Sequence, residues 1–272
     1  MKIWLIAAMM VCAVPAWALE LSGQFMQGGL VIGQAEPGAK VTLDGETVDV
    51  GANGAFVFGF GRDAKAQATL VVSEANGERE TRTLSVAPQS YDVQRIDGLP
   101  TRKVTPSAED VARIKADNAE IWAVRETLTP DTRFLSGFTW PVLGPISGVF
   151  GSQRILNGNP RSPHNGVDVA APSGSLIVAP ADGVVVLAHP DMFYTGKTVM
   201  IDHGLGLSSV YAHMDSIQVV VGQVVQQGAA IGTVGQSGRA TGPHLHWGLT
   251  WKGVHLDPKL AAGPMPKVSA EN

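Results

Sequence analysis

Near its carboxyl end the chain reads Pro243-His244-Leu245-His246-Trp247. If these residues form a strand, side chains two apart share a face, so both imidazoles point one way while Leu245 and Trp247 turn into packing. Two histidines converging on one spot can bind a metal, or divide the work between ligand and proton carrier. A pair of exposed histidines met by chance has the same spelling. The surroundings favour the strand: residues 176–179, 183–188, 198–202, 208–213, 218–221 and 230–234 are β-branched runs separated by glycine-rich turns. That pattern predicts an antiparallel sheet or barrel for this half of the chain.

Two further motifs lie upstream. In His164-Asn165-Gly166-Val167-Asp168, imidazole nitrogen and carboxylate oxygen are both good Zn²⁺ ligands at about 2.0–2.2 Å. One more histidine would complete three ligands and leave a fourth position open, the arrangement of a catalytic rather than a structural site. Alone, an Asp capping a turn near a surface His accounts for the motif equally well. Tyr211-Ala212-His213 ends an apolar run, and alternation puts Tyr211 and His213 on one face. All seven histidines (164, 189, 203, 213, 244, 246, 255) follow residue 163, and there is no glutamate between residues 133 and 270. The chemistry therefore belongs to the second half, and its base is not Glu. No HExxH, GxSxG elbow or P-loop is present.

In this order, on a β-rich chain, the motifs resemble those of the lysostaphin-type (LytM-type) zinc metallopeptidases, mostly peptidoglycan endopeptidases. The resemblance runs through Phe150-Gly151, residues 163–172, Ala179-Pro180-Ala181-Asp182-Gly183-Val184-Val185, Ile201-Asp202-His203-Gly204, Tyr211-Ala212-His213 and Gly242-Pro243-His244-Leu245-His246, about 130 residues in all. It implies one Zn²⁺ per chain held by His164, Asp168 and His246, with His213 and His244 unligated as catalytic residues, on an antiparallel β core with a narrow groove over the metal. Some relatives carry a tyrosine on the loop before HxxxD, and residues 154–162 here contain none. His203 reads as structural, and His189 and His255 have no motif partner.

The first half lies outside this resemblance. At 272 residues, with Gly 32 and Pro 17, the chain suits one large domain or two smaller ones built from short strands and turns. Residues 1–18 read as a secretory leader: Lys2, an apolar run from Ile3 to Val14, and Ala16-Trp17-Ala18 before the cut. Cys12, the single cysteine, falls inside it, so the mature chain has no thiol. Between residues 19 and 87, Pro37-Gly38, Asp44-Gly45, Asn53-Gly54 and Asn76-Gly77 separate β-prone runs, which predicts a small antiparallel sandwich. Residues 88–132 read as a linker: a polar, proline-containing connector over 88–106, then a helix over 107–128 opened by a Ser107/Asp110 capping box. The fold class expected is thus mainly β: sandwich, linking helix, a metallopeptidase domain over 133–260 and a flexible tail over 261–272.

A net charge of −4 gives no reason to expect nucleic acid as a partner, and the mature chain is expected to have no membrane span. Resemblance and leader together imply an exported, periplasmic or secreted hydrolase acting on peptidoglycan peptide cross-links, of which D-alanyl-diaminopimelate is the usual Gram-negative kind. Two alternatives keep the fold: a silent regulator that activates cell-wall amidases, with an amidase or divisome partner, and a secreted protease acting on foreign walls or proteins. The amino-terminal half is expected to position the enzyme or gate its groove.

Overall fold

The structure, a computed structural model, describes residues 19–126 and 129–266. The expected leader with Cys12, Leu128 at the end of the expected helix, and the last residues of the tail lie outside the described residues.

The amino-terminal region is a sandwich of two antiparallel sheets. One orders β1 (Glu20–Gly23), β2 (Leu30–Gln34) and β5 (Ala55–Gly59); the other orders β4 (Glu46–Val48), β3 (Lys40–Leu43), β6 (Gln67–Ser73) and β7 (Arg79–Ser85) as β4-β3-β6-β7. Asp44-Gly45 makes the two-residue turn between β3 and β4 with both residues at positive φ, 50° and 89°. That is the turn whose twist matches the strands it joins. Every residue of β5 is buried.

The second region is a ten-stranded antiparallel sheet. Its main path runs β17 (Val224–Val225), β14 (Gly183–Met192), β15 (Gly196–Gly204), β16 (Leu207–Ile217), β19 (His244–Trp251), β12 (Val167–Ala170) and β9 (Ile146–Gly148). β13 (Leu176–Val178) pairs with β18 (Ala230–Val234), β18 also joins β16, and β20 (Val254–Leu256) joins β19. The strand expected at 218–221 is instead a turn: Gly222 adopts φ 87° and Gln223 N–H donates to Val220 O at 3.1 Å. Val220 and Val221 are 68% and 62% exposed, so their β-branched composition earned no partner.

The connector is more than a tether. Within it, β8 (Val93–Ile96) pairs in parallel with β10 (Gln153–Leu156), which also pairs with β11 (Asn159–Pro160), and α1 (Thr101–Val104) follows. A parallel partner far along the chain leaves no local pattern, which is why this strand does not show in the sequence. Helix α2 (Ala108–Glu126) opens on the expected capping box: Ser107 Oγ accepts from Asp110 N at 3.1 Å and Asp110 Oδ2 from Ser107 N at 3.2 Å. Its Ile121 and Val124 pack on Leu187, Met192 and Met200 of the sheet. The tail expected to be loose from residue 261 is held through Met265. Helix α3 (Pro258–Ala262) is capped by Asp257, Trp140 Nε1 donates to Gly263 O at 3.0 Å, and Met265 packs on the sheet core.

One apolar core serves both regions. Val31, Phe58 and Phe60 of the sandwich are buried in the same cluster as Phe134, Leu205, Leu207, Leu249, Trp251 and Leu256 of the larger sheet. A Cβ at Gly59 would stand 2.5 Å from Leu256 Cδ2, which shows how closely the two regions approach.

His203 is fully buried. Its Nδ1–H donates to Asp182 O at 2.7 Å, and its Nε2 accepts from Ser209 Oγ at 2.8 Å, which in turn is 2.6 Å from Tyr211 Oη. The role is structural, as the sequence suggested, and the residue stands within β15. Burial pushes its pKa down to about 4, whereas an unfolded histidine titrates near 6.5. The folded state thus binds fewer protons in this window, so the stability His203 contributes is complete above about pH 6.5 and is lost as the pH falls toward about 4. Urea unfolding at pH 7 and pH 5 is expected to show that His203→Gln loses about 2 kcal/mol less than the unsubstituted chain over that drop; equal losses would refute the assignment.

Candidate metal centre and active-site cleft

The register of three strands builds the site. Asp168 on β12 stands opposite His246 on β19, Ala170 opposite His244, and Ala212 on β16 opposite His246. Opposed residues share a face. Val167, Tyr211 and Trp247 accordingly form a row inside the core, and Asp168, Ala212 and His246 form the row on the other side. His164 joins them from the loop before β12, fixed by its N–H to Ser152 O at 2.9 Å and its carbonyl to Gly151 N at 2.8 Å.

His164 Nε2, Asp168 Oδ1 and His246 Nδ1 form a triangle with sides of 3.0, 2.8 and 3.0 Å. His164 Nδ1 lies 3.0 Å from Val149 O. A carbonyl only accepts, so Nδ1 carries the proton and Nε2 presents a bare lone pair. Burial pushes His164 down to about 4, keeping it neutral at pH 7. Burial also pushes the Asp168 carboxyl up, but the imidazoles of His164 and His246 against its oxygens more than reverse this and hold it well below the usual carboxylate range. A bare lone pair and a carboxylate oxygen 3.0 Å apart are two acceptors in contact, and the arrangement calls for a cation between them. A tetrahedral ion about 2.1 Å from each donor would set them roughly 3.4 Å apart, so the residues present fit one after a small opening. Space is reserved for the rings: a Cβ at Gly166 would meet His246 Cε1 at 2.9 Å and Trp247 O at 2.4 Å.

His213 and His244 face each other beside this triangle, with ring centroids 4.7 Å apart; His213 is 6.2 Å from His246. Each has its Nδ1 2.8 Å from a backbone carbonyl, Ser237 O for His213 and Gly242 O for His244. Both therefore carry the proton on Nδ1 and leave Nε2 free to accept. Burial, then the neighbouring His244 and His246, push His213 down to about 3. The expectation that His213 shares a face with Tyr211 by simple alternation fails. A register shift interrupts the β15–β16 pairing between Tyr211 and Met214, and His213 sits there at φ 63°. A bulge of this kind re-aims a side chain, and it turns His213 out of Tyr211's row toward His244.

The other histidines stand apart from the cluster. His189 Nδ1 accepts from Asp191 N at 3.1 Å, and His255 lies 3.3 Å from Thr250 Oγ1. The sequence reading missed four residues that the fold brings to the cleft. Arg154 Nη2 lies 2.5 Å from Asp168 Oδ2. Arg161, Arg239 and Tyr194 join His164, His213 and His246 around a cavity of about 510 Å³. Tyr194 supplies a cleft tyrosine from the β14–β15 turn rather than from residues 154–162. The one available signal was that basic residues are scarce in this half, so its few arginines were worth attention. Connector residues close the cleft. Val104 and Pro106 line the large cavity, while Gln94, Ile96 and Leu99 line a second one of about 150 Å³ against Asp168, His213 and His244.

Known proteins resemble the chain over the same stretch that carries this site. Residues 162–258 match Peptidase family M23. The chain is similar to the peptidoglycan DD-endopeptidase ShyA of Vibrio cholerae, 41% identical over 123 residues, 44% of this chain and 28% of that protein. It is 40% identical over 106 residues to the DD-carboxypeptidase/endopeptidase Mpg of Neisseria meningitidis, 39% of this chain and 24% of that protein. The chain thus spans about a quarter of the length of these relatives. A solved peptidase M23 structure from Pseudomonas aeruginosa superposes with a TM-score of 0.68 at 30% identity, covering 88% of this chain and 96% of that one. With its site region matched and a relative of that identity covered almost end to end, the chain belongs to peptidase family M23.

Proposed function

We propose that this chain is an exported zinc metalloendopeptidase that hydrolyses peptide cross-links of peptidoglycan, the D-alanyl-diaminopimelate bond of a Gram-negative periplasm. The observation that carries the reading is the triangle of His164 Nε2, Asp168 Oδ1 and His246 Nδ1 beside two imidazoles with free Nε2 atoms. Two nitrogens and one carboxylate oxygen suit Zn²⁺, and three protein ligands leave a position open for reaction. The Vibrio and Neisseria relatives, a peptidoglycan DD-endopeptidase and a DD-carboxypeptidase/endopeptidase, support the bond class.

When bound, zinc supplies Lewis acidity that makes water a nucleophile near neutral pH and polarises a carbonyl. The chain supplies the rest. His164, Asp168 and His246 would hold the metal, and the ion pair from Arg154 would steady Asp168. His213 and His244 would move protons at Nε2, one from the attacking water and one toward the leaving amine, an effect typically worth about 10²–10⁴-fold. The ring tautomers are already set by Ser237 O and Gly242 O, so neither imidazole has to reorient before it can accept.

The division of roles has a direct test. His164→Ala, Asp168→Ala and His246→Ala are each expected to lose both zinc and activity. His213→Ala and His244→Ala are expected to keep about one zinc per chain while turnover falls by about 10² or more. Zinc content by mass spectrometry beside cleavage of cross-linked muropeptides reads both. Zinc lost from His244→Ala but kept by His246→Ala would reverse the assignment of the pair, and activity in all five variants would sink the peptidase reading. Export has its own check: amino-terminal sequencing of the exported protein is expected to start at Leu19, and a form that keeps Met1 or starts at an acylated Cys12 would contradict the leader.

A further inference from the structure

The cleft holds more positive charge than the metal site uses. Arg154 is paired with Asp168. Arg161 and Arg239 make no ion pair among the described residues. Both line the same cavity as His164, His213 and His246. Burial pushes the Arg239 guanidinium down from its ordinary value; Tyr194 opposes this, and the charges of Arg154 and Arg161 add to it.

Both arginines are nonetheless held in place. Arg239 Cζ lies 4.2 Å above the centre of the Tyr194 ring, and its backbone N–H donates to Tyr194 O at 2.8 Å. The Arg161 backbone N–H donates to Arg154 O at 2.9 Å. Their guanidinium groups turn to main-chain carbonyls of α1: Arg161 Nη2 to Val104 O at 2.7 Å, and Arg239 Nη1 to Lys103 O at 3.5 Å, long for a hydrogen bond. A neutral carbonyl is a weak partner for such a group. A carboxylate matches the planar fork with two parallel bonds, and hydrogen bonds with an ionised partner are roughly twice as strong. The carbonyls of α1 thus stand where an anionic ligand would gain most.

We infer that Arg161 and Arg239 form a carboxylate-binding subsite of the cleft, which selects peptides carrying a free carboxylate close to the bond to be cut. The inference rests on the peptidase reading for the identity of the peptide, while the carboxylate preference follows from the two arginines. It also gives the α1 carbonyls a function: they satisfy the arginines while the connector lies across the cleft, and an acidic peptide competes for the same donors.

The test is calorimetric titration of the full, zinc-loaded chain with two stem tetrapeptides that end in diaminopimelate and D-alanine, one with its carboxylates free and one with them amidated. The free acid is expected to bind about 10- to 100-fold more tightly. Arg161→Gln and Arg239→Gln are each expected to remove most of that preference while leaving the amidated peptide's affinity and the zinc content unchanged. Equal binding of the two peptides, no binding of either, or variants that keep the preference would overturn the subsite. Should Arg239→Gln unfold at a lower temperature, the exposed Arg161→Gln decides the matter. Turnover of cross-linked muropeptides, measured separately, distinguishes the two readings: a chain that prefers the free acid yet cuts no cross-link would refute the peptidase and leave the subsite standing.

Discussion

Everything at the site depends on the register of β12 with β19 and of β19 with β16, which sets Asp168, His246 and Ala212 in one row. A slip of one residue would exchange that row for Val167, Tyr211 and Trp247, burying the charged groups in the core and exposing the aromatic ones. The large buried side chains therefore protect the chemistry as much as the fold. Trp247 and Tyr211 are completely buried, and their burial pins the ligands on the opposite side of the same strands. The bulge at His213 breaks the alternation of β16 at this point, and it brings a fourth imidazole to the cluster. A non-glycine residue at positive φ is uncommon, although histidine tolerates it better than most, and such strain gathers at functional sites.

Electrostatics then explains why so few acidic groups are needed. Asp168 is a buried carboxylate set against the imidazoles of His164 and His246, and low dielectric makes its charge costly unless cations answer it. Arg154 answers on Oδ2, and a metal ion in the triangle would answer on Oδ1. Three histidines of the cluster spend Nδ1 on backbone carbonyls of Val149, Ser237 and Gly242, so main-chain geometry sets the direction of each free nitrogen. The protein fixes tautomers here with main-chain carbonyls rather than with charged side chains.

The amino-terminal half is bound into this arrangement in two ways. Its sandwich shares a core with the large sheet through Trp251, Leu249 and Leu256. Its connector adds β8 to β10 and leans Leu99 and Val104 on Leu156, while Asn157 exchanges side-chain hydrogen bonds with the Leu99 backbone at 2.7 and 3.2 Å. Helix α2 packs its Ile121 and Val124 on Leu187, Met192 and Met200 of the large sheet. The cover over the cleft is short extended chain held by strand pairing, hydrogen bonds and one small apolar cluster separate from the two larger cores.

By itself the sequence determined the mainly β class, the capping box of α2, and five of the residues gathered in the cleft. These are local matters: alternation, turn residues and ligand types depend on neighbours within a few positions. What surrounds the five was decided by tertiary structure alone. Arg154 and Arg161 come from the β10–β11 hairpin, Tyr194 from the β14–β15 turn and Arg239 from the loop before β19, and nothing in the sequence relates these three segments until the sheet closes. β8 finds its parallel partner some sixty residues away, and His213 faces the cleft because the pairing of β15 with β16 forces a bulge at that point. A side chain's type follows from the chain, but the direction it points and the charge it meets follow from elements the chain brings together only on folding.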